Sequence, residues 1–345
     1  MKAESMKSMV NSVELGHSFY HLENLNQFEE FLNEYKPQVL FTSFQIKEIP
    51  LTLDQMCEAL RLAKKYHTNL IADAGRETLT EENVERLHQA GLKYLRMDEF
   101  FDEEQLALLL RYFNPVINAS TYTLEEHKLL SSYVSCKSIL ALHNYYPKRY
   151  TGLSLEHYNK INTFLRSLGI KIGAFVPGDL NRREPLCEGL PTIENHRTLT
   201  PLEGFVELQN TDVDMIIVGD SGLTPLSNEQ VQKANQGILL LSGDVPEALL
   251  DHTYNDRVDY SDMLYRVQGT RGMTLISSQF IQHGSHLEKG GIYQSNEQFL
   301  RYCGEIDIAK MDLPADTRFN KIGQIKEQET LKYASKYKLQ FTISQ

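Results

Sequence analysis

The segment from Leu186 to Arg197 reads Leu-Cys-Glu-Gly-Leu-Pro-Thr-Ile-Glu-Asn-His-Arg and combines several side chains that can do chemistry. Glu188 and Glu194 supply carboxylates, His196 an imidazole and Arg197 a guanidinium. Carboxylates and imidazoles exchange protons, whereas a guanidinium binds anions through two parallel hydrogen bonds. The segment follows an apolar run that is typical of a buried strand. We therefore predict a functional site where that strand ends.

A second polar segment, His143-Asn144-Tyr145-Tyr146-Pro147, also follows an apolar run, at residues 138–142. Other apolar runs end in polar residues in the same way, and the ones we expect to carry function are Tyr20, Asp73, Asp98 and Asn118. These side chains are far apart in sequence. Only a fold that gathers strand ends at one place can bring them together.

Strand-like runs and amphipathic helical stretches alternate from the start of the chain to about residue 236. The predicted strands are 13–20, 39–44, 69–74, 92–97, 115–118, 138–142, 171–176 and 215–218. The predicted helices between them are 25–35, 53–66, one after Thr80, 103–112, 124–133, 155–168 and 201–209. Eight such units predict an α/β fold, a TIM-like (β/α)8 barrel whose chemistry lies at the carboxyl ends of the strands. A doubly wound open sheet is the alternative, but no Gly-x-Gly-x-x-Gly turn follows the first strand.

The pattern changes after about residue 237, where short strand-like runs at 238–241, 263–267, 273–276 and 304–308 are separated by turn residues. This pattern predicts a small, mainly β second domain. The expected domains are therefore 1–236 and 237–345. A helix at 327–337 is a weaker feature of the second domain.

Composition narrows the function classes. The formal net charge of −11 disfavours a nucleic-acid surface. No apolar run is long enough for a membrane span, and the first residues lack the apolar core of a secretion signal. The four cysteines form no Cys-x-x-Cys pair, which favours reduced thiols in a cytoplasm over disulfides or structural zinc. The sequence leaves the oligomeric state open.

The segments 143–154 and 188–197 resemble a bacterial family, the 6-phospho-N-acetylmuramidases. The resemblance extends to residues 16–20, 73, 96–98 and 118, and in the second domain to 304–306, 312–314 and 318–323. Membership implies a TIM-like barrel followed by a cyclophilin-like β domain. It also implies cytoplasmic hydrolysis of N-acetylmuramic acid 6-phosphate–N-acetylglucosamine, a phosphorylated amino-sugar disaccharide, during recovery of cell-wall sugars.

Glycoside hydrolysis needs two carboxyl groups that flank the scissile bond. We expect Glu194 to be the general acid, with its proton affinity tuned by His196, and Asp98 to be its partner. Asp73 is the next candidate. The structural alternative is that one or two of these carboxylates are helix caps or ion-pair partners.

The implied substrate carries a phosphate and a lactyl carboxylate, which arginine suits best. The cationic candidates are Arg182, Arg183, Arg197, Lys148, Arg149, Arg266 and Arg271. Phosphate in barrels often lies near strands seven and eight, which favours Arg182, Arg183 and Arg197. The expected contacts to the sugar are His143, Asn144, Asn118, Glu188 and Tyr20, the structural alternative for His143 being a buried histidine bonded to the backbone.

Two other classes remain. A barrel that has lost catalysis would bind a sugar phosphate as a sensor or structural partner. A sugar-phosphate isomerase or aldolase would want a Schiff-base lysine or a metal cluster at a strand end, and the sequence offers neither. Without a His-x-His or His-Glu-x-x-His spacing, we expect no metal and no other cofactor.

Overall fold

The structure is a computed structural model that describes residues 12–46, 50–97, 102–250, 252–259, 261–273 and 286–344. Internal contacts divide the chain into two compact units, one of residues Val13–Thr224 and one that begins at Pro225. The helix Pro225–Asn235 therefore groups with the second unit. The expected boundary after residue 236 stays a prediction.

The first unit is a closed barrel of eight parallel strands in sequential order, with the first strand paired to the eighth. The strands are β1 (Glu14–Ser18), β2 (Val39–Ser43), β3 (Asn69–Asp73), β4 (Tyr94–Met97), β5 (Asn114–Asn118), β6 (Leu140–Leu142), β7 (Lys171–Val176) and β8 (Met215–Val218). The predicted TIM barrel is thus confirmed, and the open-sheet alternative is wrong because β1 and β8 close the ring.

Helices alternate with these strands: α1 (Leu25–Tyr35), α2 (Leu53–Lys65), α3 (Glu81–Ala90), α4 (Glu103–Tyr112), α5 (Leu124–Tyr133), α6 (Leu155–Ser167) and α7 (Pro201–Gln209). Local chemistry fixes where they begin. Thr52, Thr123 and Thr200 each accept a hydrogen bond from the third helical N–H, and a glutamine or glutamate at that position bonds back to the cap.

The barrel interior is packed with apolar side chains that alternate along each strand. Val39 and Phe41 of β2, Ile71 of β3 and Phe175 of β7 belong to this core. Because successive side chains of a strand point to opposite faces, residues two positions beyond this layer face the carboxyl-terminal mouth. By this parity Asp73 follows Ile71 into the mouth.

The second unit begins with α8 (Pro225–Asn235) and contains a six-stranded sheet, a two-stranded ribbon and α9 (Leu331–Tyr337). The strands are β9 (Ile238–Asp244), β10 (Leu264–Arg266), β11 (His286–Leu287), β12 (Gly291–Ser295), β13 (Ile306–Ala309), β14 (Leu313–Pro314), β15 (Phe319–Ile325) and β16 (Gln340–Ser344). The order in the sheet is β10-β13-β12-β15-β9-β16. The mainly β second domain is confirmed, and its cyclophilin-like topology stays a prediction.

Three of the expected short strands correspond to β9, β10 and β13. The expected strand at 273–276 lies, apart from its first residue, outside the described residues. The sequence pattern predicts no counterpart of α8, β12, β15 or β16.

Candidate active site

The floor of the barrel mouth carries Asp73, Arg96 and Asn144. Asp73 and Arg96 are register partners at the ends of β3 and β4. Arg96 is 2% exposed, and its guanidinium lies 5.7 Å from the centroid of the Phe41 ring. Its Nη2 donates to Oδ1 of Asn144, which comes two residues after β6. The carboxylate, guanidinium and amide thus form one polar layer above the apolar barrel core.

Two tyrosines and an arginine line the side of the same mouth. The Arg183 guanidinium lies 4.7 Å from the Tyr20 ring centroid and 5.5 Å from that of Tyr145. Its Nη1 donates to the Tyr145 hydroxyl at 2.5 Å, and the Tyr20 hydroxyl donates to the Gly219 carbonyl at 2.8 Å. Stacking on two aromatic rings fixes the orientation of the guanidinium and leaves its other N–H groups able to donate hydrogen bonds.

The two groups share one space, because the Phe41 ring lies 5.7 Å from the Arg96 guanidinium and 6.0 Å from the Tyr145 ring. Burial raises the pKa of the Tyr145 hydroxyl, and the nearby charge of Asp73 adds to this. The positive charges of Arg183 and Arg96 act in the opposite direction. One phenol therefore feels the cations and the carboxylate that come from β3, β4 and the segment after β7.

Glu194 and Arg197 form an ion pair that holds two loops together. Arg197 donates from Nε to Oε1 and from Nη2 to Oε2 of Glu194, each at 2.8 Å. Backbone N–H groups of Tyr150 and Gly152 donate to the same carboxylate at 2.9 and 2.8 Å. These bonds, those from Arg197 foremost, lower the pKa of Glu194 to about 2. A carboxylate whose two oxygens already accept four hydrogen bonds fits a structural role better than that of the expected general acid.

Arg197 has no guanidinium edge left for a substrate. Besides Glu194, it donates to the backbone carbonyls of Tyr146, Lys148 and Gly189 at 2.8, 3.3 and 3.1 Å. Arg197 is 8% exposed. Its expected substrate contact is therefore corrected: it braces the loops after β6 and β7.

Both histidines of the two motifs face away from the mouth. His143 is fully buried, 2.8 Å from Oδ1 of Asn162 and against the ring of Tyr158, both on α6. Burial lowers its pKa to about 4. His196 is likewise buried, with Nε2 2.8 Å from Glu207 on α7. Each imidazole thus has its nearest polar partner on a helix, Asn162 of α6 for His143 and Glu207 of α7 for His196, and the expected tuning of Glu194 by His196 finds no support.

The remaining predicted residues have more varied surroundings. Glu188 accepts from Nε of the exposed Arg149 at 2.8 Å. Arg182 is exposed and its Nε donates to the Gly178 carbonyl at 3.2 Å. Asn118 follows the mouth-facing parity of β5 and accepts the backbone N–H of Ser120 at 3.0 Å. Arg266 belongs to the second unit and pairs with Asp259 at 3.1 Å, and its expected substrate contact stays a prediction.

Asp98 lies outside the described residues, and its expected role stays a prediction. The sequence places Arg96 at a strand end and offers Tyr145 as an aromatic ring for the sugar face, but it indicates no specific role for either. Strand parity was the signal that points to Arg96, since Tyr94 and Arg96 of β4 share a face. Within the described ranges no group of three or more histidine, cysteine, aspartate or glutamate residues could hold a metal ion. No described helix is long and apolar enough to cross a membrane.

A closed βα barrel with a polar carboxyl-terminal mouth, followed by a mainly β domain, defines the class of this protein. Two family models match the chain: 6-phospho-N-acetylmuramidase, N-terminal, over residues 15–233, and 6-phospho-N-acetylmuramidase, C-terminal, over residues 241–340. The chain belongs to the 6-phospho-N-acetylmuramidase family. A comparison with curated proteins finds no match.

Two solved structures resemble the whole chain. A conserved protein of unknown function from a locus in Enterococcus faecalis is 28% identical, with a TM-score of 0.81 and 96% of each chain covered. An uncharacterized B. cereus protein is 22% identical, with a TM-score of 0.73, 97% of this chain and 100% of that chain covered. Both likenesses extend over the barrel and the β domain.

Proposed function

We propose that this protein is a glycosidase that hydrolyses the bond between N-acetylmuramic acid 6-phosphate and N-acetylglucosamine. Family membership supports the substrate class. The observation that carries the proposal is the mouth itself, where Asp73 and Arg96 are register partners and the Arg183 guanidinium stacks on Tyr20 and Tyr145. A phosphorylated sugar needs both a carboxyl group for chemistry and a cation for its phosphate.

Asp73 is the proposed catalytic carboxyl on the described floor of the mouth, and Asp98 is the proposed second carboxyl. One would protonate the leaving oxygen and the other would attack the sugar or activate water. Arg96 and Asn144 would bind sugar oxygens between them, since Arg96 already fixes the Asn144 amide. Tyr20 would act indirectly, because its ring holds the Arg183 guanidinium that would contact the sugar phosphate.

Three of the originally expected substrate contacts keep a supporting role in this proposal. Asn118 would bind a sugar hydroxyl from β5, and Arg182 would add positive charge near the phosphate. Glu188 would hold Arg149 at the rim. We further propose that the enzyme acts in the cytoplasm in the recovery of cell-wall sugars. Four free cysteines fit a reducing compartment.

The decisive experiment is incubation with the phosphorylated disaccharide in metal-free buffer, with detection of released N-acetylglucosamine. Wild type is expected to release the sugar, and Asp73→Asn to lose at least about 100-fold in rate, the usual contribution of an acid–base group. Asp54→Asn on the exposed start of α2 is the matched charge control. Asp98→Asn tests the second carboxyl in the same assay.

Two outcomes contradict the proposal. Normal turnover by Asp73→Asn would remove that carboxyl from the chemistry. Binding of the disaccharide by wild type without any release of N-acetylglucosamine would instead identify a sugar-phosphate sensor.

A further inference from the structure

Asp220 is a buried carboxylate just after β8 that binds only backbone groups in the described part of the chain. It is 1% exposed. Its Oδ2 accepts the N–H groups of Gly178 and Leu190 at 2.9 and 3.2 Å, and its Oδ1 accepts that of Arg183 at 3.0 Å. Burial raises its pKa, and the three N–H bonds oppose that rise.

All three donors belong to the segment between β7 and α7. One carboxylate therefore fixes the start, the middle and the end of residues 178–190. The close approach of this segment to β8 also requires glycine at 219, where a Cβ atom would lie 2.5 Å from the Leu190 carbonyl oxygen. The middle contact is the backbone of Arg183, whose side chain lies in the mouth.

The Arg183 guanidinium differs from its cationic neighbours in its partners. Arg149 and Arg197 are each neutralised by a carboxylate, Glu188 and Glu194. No carboxylate oxygen among the described residues forms an ion pair with the guanidinium of Arg183, which instead bonds the Tyr145 hydroxyl. The guanidinium is half-buried, and a neutral hydroxyl accepts from one of its five N–H groups. Such a cation can bind an anionic ligand through its other N–H groups.

The position of this cation selects the anion. Arg183 follows β7 and is tied to Asp220 at the end of β8, the place where barrels of this type commonly bind phosphate. The rigid guanidinium plane, stacked on Tyr20, suits the two-point geometry of a phosphate monoester. Arg96, at the floor and 2% exposed, already holds Asn144 and is the less accessible cation.

We infer that Asp220 is a positioning residue for phosphate selectivity: it fixes the backbone of Arg183 so that the guanidinium binds the phosphate of a phosphorylated sugar. The inference rests on the proposed function for the identity of that sugar. Asp220 itself touches no substrate and acts through the segment 178–190. Its removal should therefore weaken recognition of phosphate more than the bond-breaking step.

The test measures binding and turnover separately in the full-length protein. Dissociation constants are determined calorimetrically for N-acetylmuramic acid 6-phosphate, N-acetylmuramic acid and inorganic phosphate. Arg183→Gln is expected to raise the dissociation constant of the phosphorylated sugar by about 10- to 100-fold, because charge-assisted hydrogen bonds are lost. The dissociation constant of the non-phosphorylated sugar should rise by less than about threefold. Arg111→Gln, an exposed arginine on α4, is the matched charge control.

Asp220→Asn keeps the shape of the side chain but places an amide N–H₂ against backbone N–H donors. We expect it to raise KM for the phosphorylated disaccharide by about 10-fold or more, with kcat changed by less than about threefold. Hydrogen exchange of the Gly178, Arg183 and Leu190 amides should become faster. If this variant does not fold, hydrogen exchange in the wild type is the test: the Gly178, Arg183 and Leu190 amides should exchange slowly, and exchange as fast as that of exposed loop amides would overturn the positioning role.

If Arg183→Gln weakens binding of the phosphorylated and the non-phosphorylated sugar equally, the phosphate site is overturned. A fall in kcat with unchanged KM for Asp220→Asn would overturn the positioning role. Failure of the proposed function is distinguishable, because a wild type that binds the phosphorylated sugar through Arg183 but releases no N-acetylglucosamine has the phosphate site without the hydrolase.

Discussion

Arg197 contacts both carboxylate oxygens of Glu194 at 2.8 Å, and the pair joins the loop after β6 to the loop after β7. This geometry predicts a structural phenotype for Glu194→Gln. At neutral pH the variant should lose about 2 kcal/mol of unfolding free energy, because one charged partner of several hydrogen bonds is gone. Since the pKa of Glu194 is lowered to about 2, the stability it supplies is present above its ordinary pKa of 4.5 and is lost as pH falls through 2.

Urea unfolding at pH 7 measures this loss. Glu188→Gln, which breaks a pair with the 59%-exposed Arg149 side chain, should cost less than about 1 kcal/mol. The acid limb of the kcat/KM profile should keep its midpoint in Glu194→Gln. Complete loss of turnover in a folded Glu194→Gln protein would restore the general-acid role.

Two buried histidines predict that the barrel weakens in mild acid. Burial lowers the pKa of both His17 and His143 from 6.5 to about 4. The unfolded chain therefore binds more protons between pH 6.5 and 4, so stability falls as pH decreases through that window. A pKa shift of this size corresponds to a loss of at most about 3 kcal/mol of unfolding free energy for each histidine.

The variant His143→Gln keeps a polar partner for Asn162 without a titrating ring. The difference in unfolding free energy between pH 7.5 and 5 should be smaller than in wild type. His67→Gln, at an exposed position after α2, should leave that difference unchanged. An unaltered pH dependence in His143→Gln would mean that His143 does not carry it.

Asp307 on β13 predicts the opposite pH dependence in the second unit. It is 6% exposed, and burial followed by the charge of Glu305 raises its pKa to about 7, against the positive charges of Arg266 and Arg257. The folded state therefore holds a proton that the unfolded state releases above its ordinary pKa of 3.8. Stability should fall as pH rises from about 4 to 7.

Asp307→Asn is expected to be more stable than wild type at pH 8, by up to about 4 kcal/mol, and close to wild type at pH 4. Calorimetric unfolding across this pH range measures the effect. Asp316→Asn, in the pair with the exposed Arg318, is the control. A stability difference that does not change with pH would contradict the assignment.

Arg96→Lys tests the floor of the mouth. Lysine keeps the charge, but it loses the planar guanidinium that lies over Phe41 and donates to Asn144. We expect kcat/KM to fall about 10- to 100-fold with the phosphorylated disaccharide. Steady-state kinetics measure the fall, with the exposed Arg86→Lys as control. Wild-type kinetics in Arg96→Lys would exclude Arg96 from the site.

Much of the barrel could be predicted from sequence because local rules govern it. The helices Leu25–Tyr35 and Leu124–Tyr133 have the predicted bounds, since an N-cap residue precedes each one. The strand Lys171–Val176 was visible as a continuous apolar run because parallel barrel strands are buried on both faces. The helix Pro225–Asn235 was not visible, because its sequence is mostly polar and shows little periodicity.

The site was harder to predict because side-chain direction and pairing decide it. Alternation from Leu140 and Leu142, both in the barrel core, already turns His143 outward to α6, so this signal was in the sequence. The pairing of Glu194 with Arg197 had no comparable signal. Asp220 is visible as a polar residue at a strand end, but its role was equally hidden, because its three partners are backbone N–H groups that any sequence possesses.

Backbone hydrogen bonds also connect the loop after β6 to the loop after β7. Leu153 donates its N–H to the Thr192 carbonyl and accepts that of Glu194, while Tyr146 donates to Pro191. If one of these loops is replaced by that of a homologue to change substrate preference, the other loop loses its backbone hydrogen-bond partners. Insertions, deletions and grafts at this rim should therefore succeed only when both loops are transplanted as a matched pair.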